Sequence, residues 1–201
     1  MKMGEIKAFG KWDTDGIKVE DKGLINYINL EPRLVPKTGA RYAGKRFYKS
    51  KIFIVERLIN KIMVTGHKGK KHKITSYKQT GKAHTAYDIV EKAFEIIEKE
   101  MNDNPIKIFV KALENAAPRE EVVSIEYGGA RYPRAVECSP QRRIDLALRF
   151  FTQGAYANSF NKKISYAEAL ANEIINAYYM SKNSNAISKK LDLERQADAA
   201  R

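Results

Sequence analysis

The sequence is poor in the residues that build disulfides, metal centres and membrane spans. It has one cysteine, Cys138, so no disulfide can form within the chain, and a reducing cytoplasm suits it best. Its three histidines, His67, His72 and His84, follow no spacing typical of zinc ligands. No apolar run approaches the roughly 18 to 20 residues that cross a bilayer, and the N-terminus lacks the apolar segment of a secretory signal. We therefore expect a cytoplasmic protein without a metal or a cofactor.

The sequence also lacks a catalytic constellation. Cys138 precedes Ser139, but the serine is better explained as a helix cap and the cysteine as an apolar residue at the end of a strand. The pair Gly128-Gly129 lies among alternating residues and not at the strand-to-helix junction of a phosphate-binding loop. We predict that the protein is not an enzyme.

Acidic residues are scarce in the first part of the chain. The whole chain has 37 Lys and Arg against 24 Asp and Glu, a net charge of +13. Residues 1–85 hold 20 basic and 7 acidic side chains, whereas residues 86–201 hold 17 of each, so the entire excess lies in the first 85 residues. Such asymmetry attracts polyanions, because each neutralised phosphate releases condensed counterions. Nucleic acid is the favoured partner, and a solvated basic surface or anionic lipid are the alternatives.

The first 49 residues predict an extended basic arm, and residues 50–201 a separate helical domain. Gly, Pro and Asp recur in the arm without a sustained helical or strand period. Residues 33–51 contain no acid, and Tyr42, Phe47 and Tyr48 are interleaved with their cations. Either this segment orders on RNA, or its aromatic rings dock on the protein's own core. Its candidate RNA-binding residues are Arg33, Lys37, Arg41, Lys45, Arg46, Lys49 and Lys51.

A lysine-rich loop follows the first helix. That helix is predicted over residues 50–64, because Ile52, Val55, Ile59 and Ile62 form one apolar stripe. Residues 66–81 then carry no acid. The loop is either an RNA contact or a solvated surface, since lysine alone reports attraction and not specificity. The candidate RNA-binding residues here are Lys68, Lys70, Lys71, Lys73, Lys78 and Lys82.

Capping patterns predict where the later helices begin. The predicted starts are Thr85 with Asp88 as a capping box, Asn104 before Pro105, Ser139 before Pro140, and Ser165 with Glu168. A further short helix is predicted over residues 185–201.

Residues 122–137 predict a β-hairpin that turns at Gly128-Gly129, where positive φ is required. A two-residue turn places Glu126 opposite Arg131 and Ile125 opposite Tyr132. An isolated ribbon is marginally stable, so it must lie on the helices or reach a partner. Arg131 and Arg134 near its tip favour a partner, and we take both as candidate RNA-binding residues.

The fourth helix predicts a basic stripe opposite its apolar side. Arg142 and Arg149 are seven residues apart and so lie within about 20° of each other, with Arg143 adjacent. The arginine fork suits phosphate, although exposed arginines on the back of a helix are ordinary. All three are candidate RNA-binding residues.

Several short motifs follow one another along the chain: Gly81-Lys82, Asn104-Pro105, Ala112-Leu113-Glu114-Asn115, Gly128-Gly129-Ala130-Arg131-Tyr132, Pro140-Gln141-Arg142-Arg143, Ala147-Leu148-Arg149-Phe150 and Ala169-Leu170-Ala171-Asn172-Glu173. In this order they resemble the small-subunit ribosomal protein seven family in its archaeal form, over about residues 50–201. A departure lies at Ala83, where bacterial members usually have a base, and the lysine-rich loop is longer than in bacteria.

This resemblance implies a mainly α fold, a bundle of about six helices with a protruding β-hairpin between helices three and four. It also implies binding to the head-domain rRNA of the small subunit, nucleation of head assembly, and a place near exit-site tRNA and mRNA. Neighbouring proteins would belong to families nine and eleven. The alternative is a free-standing nucleic-acid-binding protein, such as a helical DNA-binding regulator.

Overall fold

The structure is a computed structural model that describes residues 6–68, 71–72 and 79–201. At residues 67–68 and 71–72 it describes the backbone alone. Six α-helices form the body of the described part of the chain. The predicted mainly α fold is confirmed. The helices are α1 (Ile54–Ile62), α2 (Ala83–Met101), α3 (Pro105–Ala116), α4 (Pro140–Ser159), α5 (Tyr166–Tyr178) and α6 (Asn185–Ala199).

Helix α5 lies at the centre of the body and packs against α2, α3 and α4. A row of ring contacts links the helices around it, with Phe94 and Phe109 at a centroid distance of 5.8 Å and Phe109 and Phe151 at 6.5 Å. All three rings are fully buried. Burial of such a side chain contributes about 1.5 to 3 kcal/mol, so this row is a main source of stability. None of the described helices is long and apolar enough to cross a membrane.

Two of the predicted helix caps are confirmed by their hydrogen bonds. The backbone N–H of Ile106 donates to Asn104 Oδ1 at 3.0 Å, and that of Glu168 donates to Ser165 Oγ at 3.2 Å. Ser139 occupies the N-cap position of α4 but makes no capping bond, so Pro140 at the first helical position sets this start.

Two predicted helix starts were wrong. Helix α2 begins at Ala83 with Lys82 as N-cap, so Thr85 lies inside the helix and forms no capping box. The turn around Gly81, at φ +67°, closes with a hydrogen bond from Lys82 N to Gln79 O, and the helix follows at once. Helix α1 begins at Ile54 and not at residue 50, because Tyr48–Lys51 forms a 3₁₀ helix. Helix α6 begins at Asn185, as predicted, and ends at Ala199, within the predicted residues 185–201.

The arm is irregular, as predicted, but its first half packs into the core. The ring of Trp12 lies 5.8 Å from that of Phe94, and its Nε1 donates to Glu98 at 3.1 Å. Leu24 and Ile28 are buried in the same cluster. The only regular structure described in the arm is a 3₁₀ helix at Ile25–Tyr27 and the start of the one at Tyr48–Lys51. Residues 8–28 therefore share one core with the helices, while a domain boundary at residue 49 stays a prediction.

Two short strands, β1 (His67–Lys68) and β2 (Lys71–His72), lie between α1 and α2. The hairpin lies between α3 and α4, as predicted, and consists of β3 (Glu120–Tyr127) and β4 (Ala130–Glu137). The predicted register is confirmed, since Glu126 pairs with Arg131 and Ile125 with Tyr132. Its base packs on α6, whereas Tyr127 at the tip is 81% exposed. The hairpin thus projects from the body.

Candidate nucleic-acid interface

The second half of the arm, residues 33–51, presents its cations to solvent. None of the three rings of this segment belongs to the buried core: Tyr42 and Tyr48 are partly buried, and Phe47 is half exposed. The Arg46 guanidinium lies 4.8 Å from the ring centroid of Phe47, and Lys45 Nζ lies 5.6 Å from that of Tyr48. Six of its seven candidate residues are exposed: Arg33, Lys37, Arg41, Lys45, Arg46 and Lys51.

Two contacts tie this segment to the body. The backbone N–H of Thr38 donates to Glu56 Oε1 of α1 at 2.8 Å, with both residues buried. The seventh candidate, Lys49, is half buried, and its Nζ lies 2.7 Å from Asp145 Oδ2 of α4. The segment is therefore placed beside a groove between α1 and α4.

The groove has a dense cluster of cations around one acid. Asp145 accepts from Arg57 Nη2 at 3.3 Å as well as from Lys49. Burial on its own would raise the pKa of Asp145, but the hydrogen bond from Lys49 and the charge of Arg57 outweigh burial and hold the pKa below its ordinary value. Asp145 therefore stays ionised.

Lys61 and Arg149 line the same groove and make no ion pair among the described residues. Burial lowers the pKa of Lys61, and the nearby charges of Lys49 and Arg149 lower it further, against the attraction of Asp145. A cation placed among like charges is relieved by an added anion. Negative charge, such as that of a phosphate, would therefore be electrostatically favoured in this groove.

The three arginines of α4 have different environments. Arg149 is exposed at the groove. Arg142 is half exposed and binds Glu121 of β3 through Nε and Nη2, at 2.5 and 2.6 Å, and this bond raises its pKa. Arg143 is turned inward, where Nη2 contacts Asp21 at 2.7 Å and Nε donates to the Pro118 carbonyl at 3.1 Å.

The inward position of Arg143 corrects its placement beside an exposed stripe. Asp21 comes from the arm and covers that flank of α4, so the guanidinium is engaged within the protein. Burial on its own would raise the pKa of Asp21, but the hydrogen bonds from Arg143 and from the Gly23 backbone N–H, with the charge of Arg143, hold that pKa below its ordinary value. The Arg143 guanidinium is therefore not available to a partner.

The register separates the two hairpin arginines. Successive side chains point to opposite faces of a strand, so Arg134 shares a face with Ile125 and Tyr132, while Arg131 shares the other face with Glu126. Arg131 Nε lies 3.6 Å from Glu126 Oε2, and both side chains are exposed. The face of Arg134 therefore combines an arginine with exposed apolar and aromatic groups.

The lysine-rich loop is described only in part. Lys68 and Lys71 are opposite each other in a short pair of strands, β1 (His67–Lys68) and β2 (Lys71–His72). Lys70, Lys73 and Lys78 lie outside the described residues. Lys82 is exposed at the start of α2. Whether these lysines contact RNA stays a prediction.

Sequence reasoning missed Arg57 and Lys61. Both lie on α1, whose apolar stripe predicts a helix that faces the core and does not indicate a role for the cations on its other side. Their spacing of four residues was the available signal, because it places both on one face of α1.

The environment of Cys138 disfavours its reactive form. It is buried, and burial raises the pKa of its thiol to about 11. The thiolate, which is the reactive form, is therefore scarce at neutral pH.

Comparison with known proteins shows that nearly the whole chain is similar to members of one family. The family described as ribosomal protein S7p/S5e matches residues 25–201. Small ribosomal subunit protein uS7 of Nanoarchaeum equitans is 57% identical over 197 residues, covering 98% of this chain and 100% of that protein. The protein of the same name from Archaeoglobus fulgidus is 47% identical, covering 98% and 96%. That of Methanothermobacter thermautotrophicus is 48% identical, covering 96% and 98%.

Proposed function

Because this chain belongs to the ribosomal protein S7p/S5e family, whose members are structural and not enzymatic, we propose that it binds the head-domain rRNA of the small subunit in the cytoplasmic ribosome and nucleates head assembly. The observation that carries this proposal is the α1–α4 groove, where Lys61 and Arg149 have no ion pair among the described residues. The exposed cations of residues 33–51 lead directly to it, since Lys49 of that segment reaches Asp145 in the groove.

The mechanism is phosphate clamping combined with recognition of shape. The major groove of an A-form helix is too narrow for side chains to read, so a basic surface of this kind recognises the path of the RNA backbone. Each phosphate neutralised by lysine or arginine releases counterions and adds affinity that falls with salt. Arg142 is held toward the hairpin by Glu121 and can extend the surface from the groove to β3.

The hairpin is the part that we place near exit-site tRNA and mRNA. Its support is the exposed tip and the combination of Arg134 with aromatic side chains on one face. The resemblance alone supports neighbours from ribosomal protein families nine and eleven.

Direct binding tests the proposal. We expect the protein to bind a transcript of the head domain of archaeal small-subunit rRNA at least tenfold more tightly than a DNA duplex of equal length at physiological salt. Equal affinity for the two would refute rRNA recognition and favour a free-standing DNA-binding protein.

The lysine-rich loop is tested by the dependence of affinity on salt. Changing Lys68, Lys70, Lys71 and Lys73 to Gln should weaken rRNA binding. It should also make the slope of log K against log salt concentration less steep, by roughly 0.7 to 0.9 for each phosphate that the variant no longer neutralises. The matched control changes four exposed lysines of the charge-balanced half, Lys162, Lys163, Lys182 and Lys189. If both variants keep the original slope, the loop does not contact phosphate.

A further inference from the structure

A cleft of about 300 Å³ opens where the basic arm segment meets α1 and α4. This volume lies at the lower end of the range for small-ligand pockets, so a single small group fits and a double helix does not. Tyr42, which is partly exposed, lines the cleft, and Ile52 and Val64 add apolar surface. Val64 is 58% exposed although it is aliphatic, which leaves this surface open to a partner.

The polar side of the cleft suits a phosphate group. Four cations line it against the single acid Asp145, and two of them, Lys49 and Arg57, already bind that acid. Lys61 and Arg149 remain, and both also line the open groove that continues to Arg142. The cations without an ion pair are therefore at the side of the cleft from which an RNA backbone could approach.

An amide lies between the apolar wall and the cations. Asn60 lines the cleft, and its side chain makes no hydrogen bond with any described residue. A side-chain amide both donates and accepts, which is what the edge of a nucleobase requires. An acidic peptide would neutralise the cations but would leave the ring of Tyr42 and the amide unused.

We propose that this cleft holds one unstacked nucleotide of an RNA strand, with the base on Tyr42, its edge toward Asn60 and its phosphate at Lys61 and Arg149. This inference rests on the proposed function and specifies what part of an RNA the groove recognises. Bases inside a duplex are stacked and cannot offer their faces, whereas a bulged base can stack on an aromatic side chain.

The probe is a 20-base-pair RNA duplex with one unpaired 2-aminopurine, compared with the same duplex fully paired. We expect the bulged duplex to bind about tenfold more tightly, which corresponds to the stacking of one base on an aromatic ring. Its fluorescence should fall on binding, because 2-aminopurine is quenched when it stacks. Tyr42→Ala should abolish both effects and Tyr42→Phe should keep both, since the ring and not the hydroxyl does the stacking.

Tyr179→Ala is the matched control, because Tyr179 is also exposed and does not line the cleft. Circular dichroism melts of all variants show whether each is folded. Equal affinity of the wild-type protein for the two duplexes, or unchanged quenching in a folded Tyr42→Ala protein, would overturn the proposal. Tight binding of free 5′-AMP would overturn the assignment to an RNA strand.

The nucleotide cleft and the proposed rRNA binding can be refuted independently of each other. A protein that prefers head-domain rRNA over DNA, but does not distinguish bulged from paired RNA, keeps its ribosomal role and loses the nucleotide cleft. A protein without preference for rRNA loses the role itself.

Discussion

Substitution of Glu173, on α5, tests how the C-terminal helix is held. Its side chain is 2% exposed, and Oε1 accepts from Ser184 Oγ at 2.8 Å and from the Ala186 backbone N–H at 2.9 Å, at the start of α6. Helix α6 in turn packs against the base of the hairpin. One buried carboxylate thus joins α5 to the helix that supports the hairpin.

Glu173→Ala should destabilise the protein by about 3 kcal/mol, because two buried donors lose an acceptor and each such bond to a charged group is worth about 1.5 to 3 kcal/mol. For a chain of this length the melting temperature should fall by roughly 6 to 12 °C. Glu173→Gln should change stability by less than about 1 kcal/mol, because the amide oxygen can accept both bonds.

The pH dependence follows from the raised pKa of Glu173. Burial raises that pKa, and the hydrogen bonds from Ala186 and Ser184 only partly offset it. A carboxyl whose pKa is higher in the folded state than the ordinary value of about 4.3 makes the fold most stable below that value. Stability is lost as pH rises from there through the folded pKa. The stability of Glu173→Gln relative to wild type should therefore be greatest at pH 7 and should decrease toward pH 4.

Thermal melts at pH 7 and pH 4.5, followed by circular dichroism, measure these differences. Glu168→Ala, an exposed site on the same helix, is the control and should lower stability by less than about 1 kcal/mol. Equal melting temperatures of the Glu173→Ala protein and the wild type would show that Glu173 does not hold the start of α6. A Glu173→Gln protein as unstable as the alanine variant would show that the negative charge at the start of α6 outweighs its burial.

Three further predictions address Arg143, the hairpin and Cys138. Arg143→Ala should destabilise the protein by about 3 kcal/mol in denaturant titrations, because Asp21 and the Pro118 carbonyl both lose the buried guanidinium that donates to them, whereas Arg142→Ala should cost less than about 1 kcal/mol. Equal effects would contradict the inward position of Arg143. Deleting residues 127–132 should leave the cooperative melt of the helical body intact, because the tip is exposed, and loss of that melt would place the hairpin in the core. Iodoacetamide should modify Cys138 at pH 7.5 roughly a hundredfold more slowly than an unstructured cysteine peptide, and a similar rate would show that the thiol is not buried.

Features governed by local geometry could be predicted from the sequence. The pair Gly128-Gly129 adopts φ values of +58° and +79°, and a two-residue turn then determines which residues pair along both strands. Asn104 before Pro105 marks the start of α3 because the cap and the first helical residue act within one turn. The apolar stripes of the helices followed from the same short-range periodicity.

Contacts across large sequence separations were not visible in this way. Trp12 donates to Glu98, which is 86 residues away, and Arg143 donates to Asp21, which is 122 residues away. No spacing pattern in the sequence indicates either pair. Arg143 follows Arg142 by 100° around α4, so its side chain lies at the flank of the exposed stripe. Whether that flank is open or covered depends on the arm.

By itself, the sequence determined the charge asymmetry, the helices, the hairpin register and the family to which the chain belongs. The tertiary structure decided which cations are available to a partner. It turned Arg143 inward onto Asp21, paired Lys49 and Arg57 with Asp145, and left Lys61 and Arg149 beside them. The reason is that a cation's availability depends on the acids brought within a few ångströms by folding, and the order of residues along the chain does not contain that distance.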